Sequence, residues 1–156
     1  RGLMMLTLGT AREMGVSDRL NARQSLDGGA EYLIKLRNRL PKRITEPDRT
    51  LLALAAYNVG FGHLEDARVL TQKGGENPDL WSDVSRYLPK LSNKKFYATS
   101  KYGYARGAEP VLYVANIQYY RHYLQLLSRS QQKLDDINQE KNANKSAWEP
   151  NSMPTI

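Results

Sequence analysis

The feature that most constrains the fold is a run of six apolar residues, 51–56 (LLALAA), in the middle of the chain. A helix that is apolar on every face is stable in water only when other elements cover it all round. Thr45 is predicted to cap its N-terminus, with Pro47 in the first turn. Gly60 predicts a break soon after the run. The run therefore predicts the buried central helix of a helical bundle.

The remainder of residues 1–128 also favours helices. No stretch shows sustained alternation of polar and apolar residues, and β-branched residues are sparse, so an all-α fold is predicted. One long helix is predicted from about residue 22 to residue 40. Its apolar stripe is assigned to Leu26, Ala30, Leu33 and Leu40. Gly28 and Gly29 fall inside this helix, and a close helix–helix crossing would explain them.

The composition changes after Ser128, where Gln, Asn, Lys and Ser become dominant. The last strong helix is predicted to run from about residue 109 to Ser128, with Tyr113 and Tyr120 facing inward, and to fray by about residue 140. Residues 129–156 are predicted to be a polar C-terminal tail that is largely disordered, because they contain few apolar residues to bury. The chain is thus interpreted as one domain, 1–128, followed by this tail.

Charge and composition exclude several classes of site. The chain has no cysteine and two histidines, so disulfides, thiolate zinc sites and His-rich metal sites are not expected.

Its formal charge is +7, and residues 129–156 are neutral overall, so the excess lies in residues 1–128. A basic domain favours polyanionic partners, such as nucleic acid, an anionic lipid surface or an acidic wall polymer. Nucleic acid is disfavoured because the basic residues are dispersed over several helices.

The first candidate binding residues lie at the end of the predicted central helix. Tyr57 and Asn58 follow two small residues and precede a glycine, which can place a phenol and a carboxamide in a cleft. Alternatively, Tyr57 packs in the core and Asn58 caps a helix. Glu13, Glu31 and Glu65 are interpreted as solvated helix residues. No carboxylate of the chain has an evident acid/base setting or an evident carboxylate partner.

Three blocks in order resemble the soluble lytic transglycosylase domain, a family of the lysozyme-like superfamily. The blocks are residues 2–11 (GLMMLTLGTA), 56–60 (AYNVG) and 109–114 (EPVLYV). They are similar to the family patterns Gly-Leu-Met-Gln-x-Met-Pro-x-Thr-Ala, Ala-Tyr-Asn-x-Gly and Glu-Thr-x-x-Tyr-Val. The variants Met5 and Thr7, together with residues 58–63, indicate one particular branch of the family.

The resemblance implies a lysozyme-like helical bundle that acts on peptidoglycan during cell-wall remodelling. Members of the family cleave the β-1,4 bond between N-acetylmuramic acid and N-acetylglucosamine and leave 1,6-anhydromuramyl ends. One glutamic acid serves first as acid and then as base, and no metal or organic cofactor is implied. Two alternatives remain: a non-catalytic peptidoglycan-binding or regulatory module, and a lysozyme-like hydrolase, which would need a second carboxylate to place water.

The same resemblance assigns residues to the site. The catalytic glutamic acid of the family lies in a Glu-Ser motif ahead of the first block, so it is expected before Arg1, and no residue of this chain is assigned a catalytic role. The chain alone is therefore expected to be inactive. The residues implied to bind substrate are Met4, Met5, Thr7, Tyr57, Asn58, Glu109 and Tyr113. Met5 stands where the family pattern has Gln, which puts the hydrogen bonds of that Gln in doubt.

The resemblance also implies partners and a location. Peptidoglycan glycan strands are the expected partner, and no nucleic acid is expected. The indicated branch carries an N-terminal domain like a periplasmic solute-binding protein, which is expected to regulate the catalytic domain within the same parent chain. Periplasmic location with outer-membrane association is implied. The net positive charge suits an acidic wall polymer.

Overall fold

In a computed structural model, which describes residues 2–146, the apolar run lies inside helix α3, Asp48–Val59. Residues 52–56 are all buried, and Leu52, Ala53, Ala55 and Ala56 have no exposed surface. Alanine keeps this helix thin, so neighbouring helices approach it closely on several sides. The predicted central helix is confirmed.

All regular structure within residues 2–146 is helical, as an all-α fold requires. The other helices are α1 (Leu8–Glu13), α2 (Ala22–Arg39), α4 (Phe61–Lys73), α5 (Trp81–Tyr87), α6 (Lys94–Tyr97) and α7 (Ala108–Ser146), with a 3₁₀ helix at Leu88–Ser92. Helix α3 packs against both α2 and α4. None of the helices in this described part of the chain is long and apolar enough to span a bilayer.

The start of α3 differs from the prediction that Thr45 caps it. The capping position is Pro47, which offers no side-chain acceptor. Instead, the Glu46 carboxylate accepts the backbone N–H of Thr50 at 3.2 Å. Arg49 then ties the helix to the preceding connection by donating to three backbone carbonyl oxygens. A longer acidic side chain next to the helix thus replaces the predicted threonine cap.

The packing face of α2 is also different from the predicted stripe. Leu26 is 49% exposed and Ala30 is exposed. The buried residues of α2 are Ser25, Gly28, Gly29 and Leu36. The glycines accept other parts of the chain, not another helix: a Cβ on Gly28 would lie 2.3 Å from Val16, and one on Gly29 would lie 2.5 Å from Met4. Hydrophobic periodicity misses such a face because glycine carries no apolar side chain.

A single residue, Gly60, separates α3 from α4. Its φ angle is +91°, a left-handed value that glycine adopts at little cost. The predicted break is confirmed, and it makes a sharp corner directly after Asn58 and Val59. This corner places the end of the central helix at the protein surface.

Helix α7 continues to Ser146, beyond both the predicted end of the strong helix at Ser128 and the predicted fraying near residue 140. Its Gln, Lys, Leu and Glu residues are good helix formers, so helix persists where apolar residues become few. Tyr113 is half-buried, whereas Tyr120, predicted to face inward, is 62% exposed. Residues 147–156 of the predicted tail lie outside the described residues.

The chain divides into two compact units, Arg1–Ala115 and Asn116–Ile156. The first contains the packed helices and every residue of the candidate site. The described part of the second is helical, and its tyrosines Tyr119 and Tyr120 meet edge to face at 5.7 Å. The division predicted at residue 128 and the disorder of the tail stay predictions.

Candidate functional site

Six of the seven predicted substrate-binding residues line one cleft, which we call the main cleft. These are Met4, Met5, Thr7, Tyr57, Asn58 and Tyr113. The cleft has a volume of about 390 Å³, and Leu3 completes its lining. The three sequence blocks, which are far apart along the chain, therefore meet at one surface. Their role in binding stays a prediction.

The first block reaches this cleft because α2 holds it. The backbone N–H of Met4 donates to the hydroxyl of Ser25 at 3.1 Å, and Ser25 is fully buried. The side chain of Met4 packs over Gly29, where a Cβ would collide with it. Arg19 donates to the Leu6 carbonyl oxygen at 3.0 Å. The small buried face of α2 thus fixes one wall of the cleft.

Tyr57 joins that wall to the central helix. Its hydroxyl donates to the Met4 carbonyl oxygen at 2.7 Å, and its ring meets Tyr32 edge to face at 5.5 Å. Burial, together with smaller contributions from the nearby Tyr113 and Tyr32, raises the pKa of Tyr57 to about 12. Tyr57 therefore stays neutral at physiological pH, acting as a fixed donor and as a wall of the cleft, not as a base.

Asn58 lines three neighbouring cavities close to the chain corner at Gly60. Besides the main cleft, it lines an inner pocket of about 190 Å³ that includes Tyr32 and Thr10. It also lines a third cavity of about 290 Å³, the end pocket, with His63, Tyr104, Ala105, Arg106 and Glu109 among its other residues. Asn58 is exposed and lies within α3, so it does not cap α4. Its carboxamide is available to a ligand in each of these cavities.

Met5 and Thr7 contribute in different ways. Met5 has a φ angle of +57°, a left-handed value that is uncommon for residues other than glycine, and it is 57% exposed. Strain of this kind often accompanies binding sites. The Thr7 side chain caps α1 by accepting the backbone N–H of Thr10 at 3.1 Å. Thr7 therefore lines the cleft while its hydroxyl serves the helix.

Glu109, the seventh predicted residue, lies in the end pocket instead of the main cleft. It stands in the first turn of α7 and forms an exposed ion pair with Arg106 at 3.3 Å. Tyr113, one turn further along, reaches the main cleft, where burial raises its pKa. The third block thus contributes to both cavities.

The lining residues that the sequence analysis missed include Tyr32, His63, Tyr104 and Arg106. Tyr32 lies on α2 but outside the apolar stripe predicted for that helix, so the sequence pattern did not indicate it as a lining residue. His63 lies three residues after Gly60 on α4, and its Nδ1 is buried with no hydrogen-bond partner among the described residues. Tyr104 is one of seven tyrosines between residues 97 and 123, and the sequence does not predict which way most of them face.

The remaining carboxylates do not form an acid/base pair at the main cleft. Glu13 pairs with Lys35 and Glu65 pairs with Arg68, and neither glutamate lines this cleft. Within residues 2–146 there is also no group of three or more His, Asp or Glu side chains placed to hold a metal ion. The site therefore offers hydrogen-bond donors, a carboxamide and aromatic rings, which suit polar cyclic ligands such as sugars.

The Tyr57→Phe substitution tests the hydrogen bond that links the central helix to the Met4 segment. It leaves the part-buried Met4 carbonyl without its donor, so we expect the free energy of unfolding to fall by about 1–2 kcal/mol. Urea denaturation measures this. The control is Tyr120→Phe, whose ring is 62% exposed and whose loss of a hydroxyl should change nothing measurable. Equal stability of both variants would mean that the Tyr57 hydroxyl does not hold the Met4 segment.

Comparison with known proteins identifies the family of the chain. Residues 1–80, half of the chain, match the family described as "Transglycosylase SLT domain". A protein named "Membrane-bound lytic murein transglycosylase F" from Idiomarina loihiensis is 58% identical over 127 residues, which is 81% of this chain. Proteins of the same name from Alteromonas mediterranea and Pseudomonas syringae pv. syringae are 59% and 57% identical, over 77% and 84% of the chain.

These relatives are much longer than the chain, which spans between 26% and 28% of their length. Their shared name confirms that the chain belongs to one branch of the family, as predicted from the first block and residues 58–63. Within the chain, the matched residues include the first two blocks and the helices that hold them. The chain that brings these blocks to one cleft belongs to the transglycosylase SLT domain family.

Proposed function

We propose that this chain is part of a peptidoglycan lytic transglycosylase. The enzyme would cleave the β-1,4 bond between N-acetylmuramic acid and N-acetylglucosamine and leave 1,6-anhydromuramyl ends during cell-wall remodelling. The observation that carries the proposal is the meeting of all three family blocks around Asn58. The name of the relatives, lytic murein transglycosylase, supports it.

The proposed reaction needs one carboxyl group and no added water. A glutamic acid gives its proton to the oxygen of the leaving N-acetylglucosamine as the glycosidic bond breaks. The muramyl 6-hydroxyl then bonds to the anomeric carbon and returns its proton to the same glutamate. Because the nucleophile belongs to the substrate, the second step is intramolecular and gains from the positioning of the sugar.

In this proposal the residues of the chain bind and orient the glycan. Tyr57 is neutral and anchored on a main-chain carbonyl, so it forms a rigid wall beside the sugar. The Asn58 carboxamide can both donate to and accept from an acetamido group. Tyr113 offers an aromatic face, against which sugar rings pack well. Glu109 and Arg106 would contact the strand further along, in the end pocket.

We also propose that the catalytic glutamic acid precedes Arg1 in the parent protein and that this chain alone is inactive. The family pattern supports this, since its Glu-Ser motif lies ahead of the first block. No described carboxylate lines the main cleft, which is consistent with an acid supplied from elsewhere.

Digestion of purified peptidoglycan, with products identified by mass spectrometry, tests the proposed function. The chain would be compared with the parent protein that includes the preceding residues. We expect anhydromuramyl products from the parent alone, and retained binding to peptidoglycan by the chain. Products with reducing ends, which carry one added water, would instead identify a lysozyme-like hydrolase. Binding without cleavage by either protein would identify a peptidoglycan-binding module.

A further proposal concerns the domain organisation and the cellular location of the parent protein. We propose that residues 1–128 form the catalytic domain, that a solute-binding-like regulatory domain precedes it in the parent chain, and that the parent acts in the periplasm at the outer membrane. The relatives are named membrane-bound, and the chain matches little more than a quarter of their length, which supports a larger parent. Fractionation of the parent protein with outer membranes is the expected result.

A further inference from the structure

Asp66 is a buried carboxylate that the proposed reaction does not use. It lies on α4, it is 6% exposed, and it forms no ion pair with Lys or Arg in the described part of the chain. One of its oxygens accepts the backbone N–H of Lys101 at 3.0 Å, and the other accepts that of Tyr102 at 2.8 Å. A carboxylate buried without a cation is costly unless hydrogen bonds satisfy it, so these two bonds define its role.

The two bonds fasten an irregular stretch, residues 100–106, which we call the strap. A second contact helps to hold it: the ring of Tyr102 lies so close to Gly62 that a Cβ there would be 2.7 Å from the ring. Tyr102 also meets His63 edge to face, with ring centroids 6.2 Å apart. At its far end, Ala105 donates to the Leu91 carbonyl oxygen at 3.2 Å. The first half of the strap is therefore fixed from α4.

The strap carries side chains that the proposed glycan site uses. Tyr104 and Arg106 both line the end pocket, which shares Asn58 with the main cleft. Neither residue belongs to a helix, because regular structure ends at Tyr97 and resumes at Ala108. Their side chains do contact the flanking helices: Tyr104 meets Tyr97 edge to face at 5.7 Å, and Arg106 forms an exposed ion pair with Glu109 at 3.3 Å. Their place in the pocket depends on how the strap is held.

We propose that Asp66 is a positioning residue that fixes the wall of the end pocket and so determines how strongly the domain binds long glycans. The inference rests on the proposed function, because it assumes that the glycan occupies these cavities. A short glycan in the main cleft contacts residues that Asp66 does not hold. A longer one reaches the end pocket and depends on Tyr104 and Arg106. Loss of Asp66 should therefore weaken the binding of long glycans and leave the binding of short ones unchanged.

The test compares Asp66→Asn with Asp48→Asn. Asparagine has one acceptor oxygen in place of two and turns an NH₂ group toward the second backbone N–H. Asp48 is a matched control, because its carboxylate also accepts a distant backbone N–H, that of Trp81 at 2.7 Å, and it lines neither the main cleft nor the end pocket. Both variants should lose a few degrees of Tm, so a purely structural effect would be similar in the two.

Binding of chitobiose and chitohexaose by this chain, measured by calorimetry, gives the readout. Both probes are β-1,4-linked N-acetylglucosamine oligomers without a muramyl group, so the proposed reaction cannot consume them. For Asp66→Asn we expect about tenfold weaker binding of chitohexaose, equivalent to about 1.4 kcal/mol, and unchanged binding of chitobiose. Asp48→Asn should bind both probes as the wild type does.

A second variant keeps the inference testable if Asp66→Asn does not fold. Gly62→Ala removes no hydrogen bond, but its Cβ would displace the Tyr102 ring, and we expect the same selective loss for chitohexaose. If the wild type binds chitohexaose and Asp66→Asn or Gly62→Ala binds it equally well, the role of the strap is overturned. If the wild type binds neither oligomer, the proposed function fails and the inference fails with it.

Discussion

Replacing Gly107 by alanine is expected to lower the free energy of unfolding by about 3 kcal/mol or more, or to prevent folding. Gly107 is buried immediately before α7. A Cβ at this position would lie 1.6 Å from the carbonyl oxygen of Leu88 and 2.3 Å from its carbon. These are backbone atoms of the 3₁₀ helix, so no side-chain rotation can relieve the overlap. Urea denaturation of the purified variant measures the loss.

Gly9→Ala is the matched control for this substitution. Gly9 lies in α1, and among the described residues the nearest atom to its added Cβ outside the helix backbone is the Thr7 hydroxyl at 3.9 Å, an ordinary contact. Alanine is favoured over glycine in helices, so we expect unchanged or slightly higher stability. Wild-type stability of Gly107→Ala would show that Gly107 and the 3₁₀ helix do not approach each other as described.

The second large effect is expected at Arg68, whose side chain is 7% exposed. Its guanidinium donates to the Glu65 carboxylate at 2.7 Å, to the Asp79 carboxylate at 2.6 Å and to the Pro78 carbonyl oxygen at 2.9 Å. Arg68→Met keeps much of the side-chain volume but leaves these acceptors without their shared donor. We expect a loss of about 3–5 kcal/mol, measured by chemical denaturation.

An exposed arginine provides the control for Arg68. Arg23 is 93% exposed and lies 3.8 Å from the Asp27 carboxylate, so Arg23→Met should change stability by less than about 0.5 kcal/mol. Similar losses in the two variants would mean that burial of Arg68 adds nothing to its ion pairs.

The effect of Arg68→Met should also depend on pH. Burial by itself raises the pKa of Asp79, but hydrogen bonds and charges from Arg43 and Arg68 outweigh this and hold the pKa below its usual value. A carboxylate with a lowered pKa stabilises the fold above its ordinary pKa, and that contribution is lost as the pH falls through the lowered value. The stability difference between wild type and Arg68→Met should therefore narrow in acid. A constant difference would contradict this role of Asp79.

The sequence predicted the main helices because their signals are local. An apolar run, a glycine break and helix-forming composition act within a few residues, and α3 and its corner at Gly60 follow from them. The face of α2 was not predictable in this way. Its packing uses Ser25, Gly28 and Gly29, and what makes them a packing face is the N-terminal segment that lies on them.

The site residues likewise include some that local sequence patterns predict and some that they do not. The three blocks identified six residues of the main cleft, because each block is a contiguous pattern of a known family. Tyr104 and Arg106 belong to no block, and they line the end pocket from the strap, which is held by the bonds of Asp66 to Lys101 and Tyr102 and by the bond of Ala105 to Leu91. A bond between a side chain and a distant backbone N–H leaves no periodic trace in the sequence.

The anchor between Tyr57 and the first block has a consequence for how this domain can diversify. The acceptor of the Tyr57 hydroxyl is the main-chain oxygen of Met4, which every amino acid possesses. Substitution of the exposed side chain at Met5 can therefore change what the cleft selects without dismantling the anchor. The hydrogen bond that fastens the first block is thus independent of the side chains that line the cleft, so the lining can be altered while the architecture is retained.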